Sequence, residues 1–134
     1  GYLGERMPKR MLLAAIYSLR SAAFVIFLLT PVTPASALIF GAAIGLLWLS
    51  TVPPTSGLVA LMFGARYMAT LFGVVFFSHQ VGAFIGVWLG GALYERTGSY
   101  EITWWVGVAL GLFAALVHLP IRETPVERAV PAAA

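Results

Sequence analysis

A polar triplet and a single charged side chain interrupt two long apolar stretches of the sequence. Ser78, His79 and Gln80 stand in the middle of one stretch, and Arg20 stands in another. Backbone groups of an apolar helix are satisfied within the helix, so we expect polar side chains at its centre to line a cavity. His79 could carry a proton or bind substrate together with Gln80, or it could join two helices by a hydrogen bond. Arg20 could bind or gate an anion, or it could bond carbonyls and Tyr17 on its own helix face.

A second polar cluster surrounds a pair of prolines. Trp48, Thr51 and Thr55 flank Pro53-Pro54. Proline breaks the hydrogen-bond ladder of a helix, and interrupted helices near the membrane midplane carry the sites of many transporters. The cluster predicts one of two structures. Freed carbonyls and hydroxyls could meet a ligand, or neighbouring Ser and Thr side chains could satisfy a simple kink.

The composition excludes a water-facing globular protein. Of 134 residues, 60% are hydrophobic and 10% are charged, whereas soluble domains are about 25% charged. The absence of Cys excludes a disulfide scaffold and a thiolate metal site. A net charge of +3 in so apolar a chain indicates membrane orientation and not nucleic-acid binding. We find no hydrolytic triad, metal cluster or phosphate-binding loop, so no enzyme, metal or cofactor is expected.

Apolar runs bounded by proline, glycine and polar residues predict an all-α membrane protein with transmembrane helices. The predicted spans are residues 11–30, 35–63, 67–93 and 102–119, with the second broken near Pro53-Pro54. A cytoplasmic loop over 1–10 precedes them, and a tail over 120–134, expected to be disordered, follows them. Thr33-Pro34 and Ser99 predict helix N-termini. His118, close to the end of the last span, is expected at the membrane interface.

The distribution of basic residues predicts the orientation. In a four-span topology Arg96 lies on one side, and the opposite side carries Arg6, Lys9, Arg10, Arg66, Arg122 and Arg128. Cytoplasmic flanks accumulate Lys and Arg, so both termini are expected in the cytoplasm. All acidic residues fall outside the predicted spans, which leaves no intramembrane carboxylate to carry a proton or a cation.

Glycines recur at four-residue spacing in three of the predicted spans. The third span carries Gly82, Gly86 and Gly90, and similar pairs are Gly41 with Gly45 and Gly107 with Gly111. A face without side chains lets two helices approach closely, so the spacing predicts a tightly packed bundle. A role in helix sliding during a conformational change is the alternative.

The first ten residues resemble the cytoplasmic loop signature of the major facilitator superfamily, Gly-x-Leu-x-Asp/Glu-Arg-x-Gly-Arg/Lys-Arg/Lys. The matching residues are Gly1, Leu3, Glu5, Arg6, Lys9 and Arg10. Pro8 stands where the pattern has glycine, which suggests the weaker copy between the eighth and ninth helices of that fold. The resemblance continues through residues 51–55, 63–66, 78–82, 90–94 and 97–100. Together these segments are similar to the last four helices, 9 to 12, of bacterial monocarboxylate and oxalate/formate porters.

The resemblance implies a twelve-helix transporter of which this chain is a C-terminal fragment. Its partners would be the missing N-terminal helices, a small-molecule substrate such as an organic anion, and the lipid bilayer of the bacterial inner membrane. The tenth helix of that fold lines the central cavity and the eleventh flanks it, which favours Trp48, Thr51 and Thr55 of the second span, and the third span, as carriers of the substrate site. The ninth and twelfth helices are peripheral, which makes Arg20, on the ninth, a weaker candidate. Glu5, Arg6, Lys9 and Arg10 would act as a cytoplasmic conformational latch. Transport would proceed by alternating access around a midplane site.

A protein of another class satisfies the same pattern. A stand-alone four-helix membrane scaffold or assembly subunit, without transport activity, would bind partner helices through its glycine faces. Further apolar spans encoded in frame upstream of Gly1 would favour the transporter.

Overall fold

Helices make up most of residues 6–126, which are the residues that the computed structural model describes. In chain order they are α1 (Lys9–Leu29), α2 (Pro34–Leu49), α3 (Val52–Phe63), α4 (Ala65–Thr97) and α5 (Glu101–His118). Because α2 and α3 follow one another along a single span, the helices form four candidate membrane spans, each long and apolar enough to cross a bilayer. The predicted disordered tail beyond residue 126, and residues 1–5 of the predicted loop, lie outside the described residues.

The second span begins with a reciprocal cap. The hydroxyl of Thr33 accepts a hydrogen bond from the backbone N–H of Ser36, and the Ser36 hydroxyl accepts one from the N–H of Thr33. Pro34 occupies the first turn, where its missing N–H leaves no bond unmade. The N-cap predicted at Thr33 is therefore confirmed.

The second span is interrupted at Ser50 and Thr51, just before the proline pair. A proline removes the hydrogen bond to the carbonyl four residues earlier and its ring clashes with that carbonyl. For Pro53 and Pro54 these carbonyls belong to Leu49 and Ser50, and α2 ends at Leu49. The prolines themselves lie in the first turn of α3, where they are tolerated.

The turn between α4 and α5 differs from its predicted form. Gly98 ends α4 in the left-handed conformation, with φ of 68°, and its N–H bonds the carbonyl of Tyr94. The cap position of α5 is Tyr100, so the N-cap predicted at Ser99 is wrong. The Ser99 hydroxyl still accepts a hydrogen bond from the N–H of Glu101, because a Ser oxygen can bond a backbone group two residues on.

The core lies mainly between the first and last helices. Helix α1 packs most extensively on α5, and it also contacts α2 and α3. Leu13 and Ile16 of α1 are buried, as is Val108 of α5. The hydroxyl of Ser21, 2% exposed, donates to the Val108 carbonyl at 3.2 Å, and a Cβ placed on Gly111 would overlap that hydroxyl. Close backbone approach at Gly111 therefore holds α1 against α5.

The glycine face of α4 is largely unoccupied by the described helices. A Cβ on Gly82 or Gly86 would meet nothing within 4 Å, whereas one on Gly90 would lie 3.4 Å from the Thr103 methyl group. Gly90 is also the buried residue of α4. Packing through Gly82 and Gly86 stays a prediction about helices other than those described.

Candidate functional site

A cavity of about 410 Å³ lies between the helices, and all five of them contribute to its wall. The lining residues are Tyr17, Trp48, Thr51, Val52, Thr55, Phe72, Val75, Phe76, Ser78, His79 and His118. The volume falls in the range of small-molecule sites, about 300 to 1,000 Å³. The structure thus brings the proline cluster together with Ser78 and His79 of the polar triplet, which the sequence could only place on separate spans.

The aliphatic hydroxyls of the cavity donate their protons to the backbone. Thr51, Thr55 and Ser78 each donate a hydrogen bond to a backbone carbonyl three or four residues earlier in the chain, at an oxygen–oxygen distance of 2.7 Å. Their oxygen atoms keep lone pairs for a ligand, but the protons are committed. The Thr51 hydroxyl bonds the carbonyl of Trp48 in the last turn of α2, which also accepts the Thr51 N–H. The same residue therefore supports the break and lines the cavity.

His79 lies among aromatic rings at the cavity wall. Its ring centroid is 6.0 Å from that of Trp48, with the rings nearly perpendicular at 84°, and 6.1 Å from that of Phe76. Edge-to-face geometry of this kind is favourable for aromatic pairs. Among the described residues, His79 makes these ring contacts and no hydrogen bond. Gln80, the next residue, is exposed and is not part of the cavity wall.

Arg20 lies behind the aromatic wall. Its guanidinium carbon is 5.1 Å from the centroid of the Trp48 ring and 5.6 Å from that of Tyr17. Arg20 is not among the residues that line the 410 Å³ cavity, and it borders instead a second cavity of about 260 Å³ between α1 and α5. Stacking on ring faces stabilises a desolvated guanidinium by about 2 kcal/mol. Arg20 therefore stacks on the Tyr17 ring and, among the described residues, makes no hydrogen bond to the Tyr17 hydroxyl, which the sequence had offered as a partner. Trp48 is a further partner that the sequence did not indicate.

Tyr17 and His118 line the cavity as well, although neither was predicted there. Their ring centroids lie 5.2 Å apart in a stacked arrangement. His118 Nδ1 lies 2.6 Å from the carbonyl of Ala114, and because a carbonyl only accepts, Nδ1 carries the proton and Nε2 of the neutral ring is an acceptor. The sequence offered one signal. Four spans make α1 and α5 antiparallel, so the first half of α1, which contains Tyr17, lies nearer to the end of α5 than to its start.

At that same end, the segment after α5 is bonded to the start of α1 and to the end of α3. The Arg10 N–H donates to the Glu123 carboxylate at 2.6 Å, and its guanidinium donates to the carbonyls of Leu119 and Ile121. The N–H of Val126 donates to the Met62 carbonyl at 2.8 Å.

Of the other predicted latch residues, Lys9 lies with its aliphatic stem against Gly57. Arg6 is also engaged in an interaction. Glu5 lies outside the described residues, so the structure does not bear on its role.

Nothing in residues 6–126 is arranged to hold a metal ion, since no three His, Cys, Asp or Glu side chains converge there. Within the same residues the carboxylates are Glu95, Glu101 and Glu123, which lie near helix ends or beyond α5. The polar groups of the cavity are therefore imidazole, indole, phenol and aliphatic hydroxyl groups.

The four apolar spans and the polar cavity between them define a multi-pass membrane protein. Comparison with protein families gives a match to the Major Facilitator Superfamily over residues 1–134. The chain belongs to this superfamily, whose members are transporters. Searches of curated proteins and of solved structures found no match.

Proposed function

We propose that the chain supplies helices 9 to 12 of a twelve-helix secondary transporter that moves a small organic anion across the bacterial inner membrane. The charge of the membrane spans is the observation that supports an anionic substrate. Arg20 is positive, it lies beside the cavity wall, and the acidic residues of the sequence all stand near or beyond span ends. In a low-dielectric site an unbalanced positive charge favours an anionic ligand. The resemblance to monocarboxylate and oxalate/formate porters supports the same ligand class.

Alternating access accounts for the break in the second span. The two halves of such a transporter rock around a fixed site, and discontinuous helices expose backbone groups at that site. We assign Trp48, Thr51, Thr55 and His79 to the substrate path because they share one cavity. Gln80, on the exposed side of α4, would meet substrate only in company with helices outside this chain.

A stand-alone scaffold remains the competing function. Phe77 and Val87 of α4 are 70% and 79% exposed, and lipid or further helices must cover them in either case. Uptake separates the two functions, since a scaffold moves no solute. Labelled small carboxylates offered to cells that make the complete protein should accumulate, and absence of any uptake would favour the scaffold.

We further propose that Glu5, Arg6, Lys9 and Arg10 latch the cytoplasmic side in its closed state. The bonds from Arg10 to the segment after α5 support this, because they join the two ends of the chain. Arg10→Gln keeps the backbone bond to Glu123 and loses the guanidinium bonds. It should raise the reactivity of a cavity cysteine toward a reagent added from the cytoplasmic side, and unchanged reactivity would contradict the latch.

The orientation is proposed from the position of the basic residues. Arg10, Arg66 and Arg122 lie at the end of the bundle where α1 begins and α5 ends, and Arg96 lies at the other. Introduced cysteines are informative because the native chain has none. In intact cells an impermeant maleimide should label Ser99→Cys and leave Arg66→Cys unlabelled. The reverse pattern would place the termini outside.

A further inference from the structure

We infer that the cavity between the helices selects a flat aromatic carboxylate over an aliphatic one. The inference rests on the proposed function and narrows its substrate class. Six of the eleven lining residues carry rings, and they come from α1, α2, α4 and α5. A carboxylate with an aliphatic body would gain hydrogen bonds at such a site but no aromatic stacking. A planar ring would also use its walls.

The ring walls stand at angles that suit a flat ligand. Trp48 meets His79 at 84°, while Phe76 is inclined to His79 by 35°. The rings that border the cavity therefore stand at different angles to one another. One planar ligand ring can stack on the face of one of them and point its edge at another. A saturated ring of equal size is puckered and lacks the quadrupole that favours both contacts.

The free hydrogen-bond donors select an acceptor group. The protons of Thr51, Thr55 and Ser78 are committed to backbone carbonyls. Among the described residues, the Tyr17 hydroxyl and the Trp48 indole N–H have no hydrogen-bond partner, and the ring nitrogens of His79 have none either. These three side chains border the cavity, and a carboxylate can accept from several donors at once.

The charge behind the wall sets the sign of the ligand. Rings that surround a cavity can also bind an organic cation. Here the Arg20 guanidinium already occupies one face each of Trp48 and Tyr17, at 5.1 and 5.6 Å from their centroids. A second cation on the same rings would be repelled by the guanidinium, whereas an anion would be attracted.

The test compares three probes of similar size on the purified complete transporter in lipid nanodiscs. Isothermal titration measures the affinities for benzoate, cyclohexanecarboxylate and benzylamine. We expect benzoate to bind about tenfold more tightly than cyclohexanecarboxylate, the ratio given by the favourable geometry of one aromatic pair. Benzylamine should show no binding. Trp48→Leu should abolish the preference for benzoate, and Trp48→Phe should retain part of it.

Trp88→Leu is the matched control, since Trp88 is 64% exposed and lies outside the cavity wall. It should leave the tenfold ratio unchanged. Equal affinity for the two carboxylates overturns the aromatic selectivity while leaving an anion transporter in place. Binding of benzylamine without either carboxylate overturns both proposals. Loss of the benzoate preference in Trp88→Leu to the same extent as in Trp48→Leu would overturn the assignment to this cavity.

Discussion

Gly111→Val should prevent α1 from packing on α5 and reduce the yield of folded protein severalfold. The first side-chain atom at residue 111 would overlap the Ser21 hydroxyl, which is buried and bonded to the Val108 carbonyl. Overpacking costs about 1 to 3 kcal/mol, and loss of a buried hydrogen bond adds about 1 kcal/mol or more. Thermal melting and size-exclusion chromatography in mild detergent measure the effect.

Gly107→Val provides the control because it makes the same change one turn earlier on the same helix. A Cβ at Gly107 would meet nothing within 4 Å. The melting temperature of this variant should stay close to that of the parent. Equal losses of melting temperature and folded yield in the two variants would show that α5 tolerates no added side chain at either glycine. The contact between Gly111 and Ser21 would then not be the cause of the destabilisation.

His79→Ala in the complete transporter should lower substrate uptake by tenfold or more while surface expression stays near normal. The imidazole borders the cavity beside Trp48 and is without a hydrogen bond among the described residues. Its bonding capacity is therefore available to a substrate or a proton. Gln80→Ala is expected to raise the apparent KM, if the exposed face of α4 meets substrate in the complete protein. Initial rates over a range of substrate concentrations distinguish the two effects.

Val87→Ala controls for any general sensitivity of α4, since Val87 is exposed and lies outside the cavity wall. Its uptake kinetics should match those of the parent. A His79→Ala variant with normal kinetics and a clearly lower melting temperature would mean that His79 joins helices. The site assignment would then be wrong.

The spans were predictable because lipid imposes a simple requirement, about 20 apolar residues in succession. The caps were less secure. Thr33 followed by proline was sufficient to place the start of α2. For α5, both Ser99 and Tyr100 are possible cap positions, and the hydrogen bond from the Glu101 N–H to the Ser99 hydroxyl is compatible with either. The sequence thus predicted the presence of each helix more accurately than its first and last residues.

The contacts between spans were not predictable from spacing. Glycines four residues apart occur on α4 and on α5, yet within the described residues Gly86 faces open space and Gly111 meets Ser21. Which glycine forms a close helix contact depends on which helix lies beside it, and the glycine spacing in a single sequence does not show that. The antiparallel order of α1 and α5 indicates which parts of the two helices lie close together, but it does not indicate that the rings of Tyr17 and His118 stack.

The charge of the transported solute is the most informative property to measure. Cells that make the complete transporter, and matched cells without it, are offered labelled small carboxylates and their amine counterparts at equal concentration. We expect saturable, transporter-dependent uptake of at least one carboxylate and of none of the amines, because Arg20 stands beside the cavity and no span carries a carboxylate near its middle. Saturable uptake of an amine, with no uptake of any carboxylate, would contradict it.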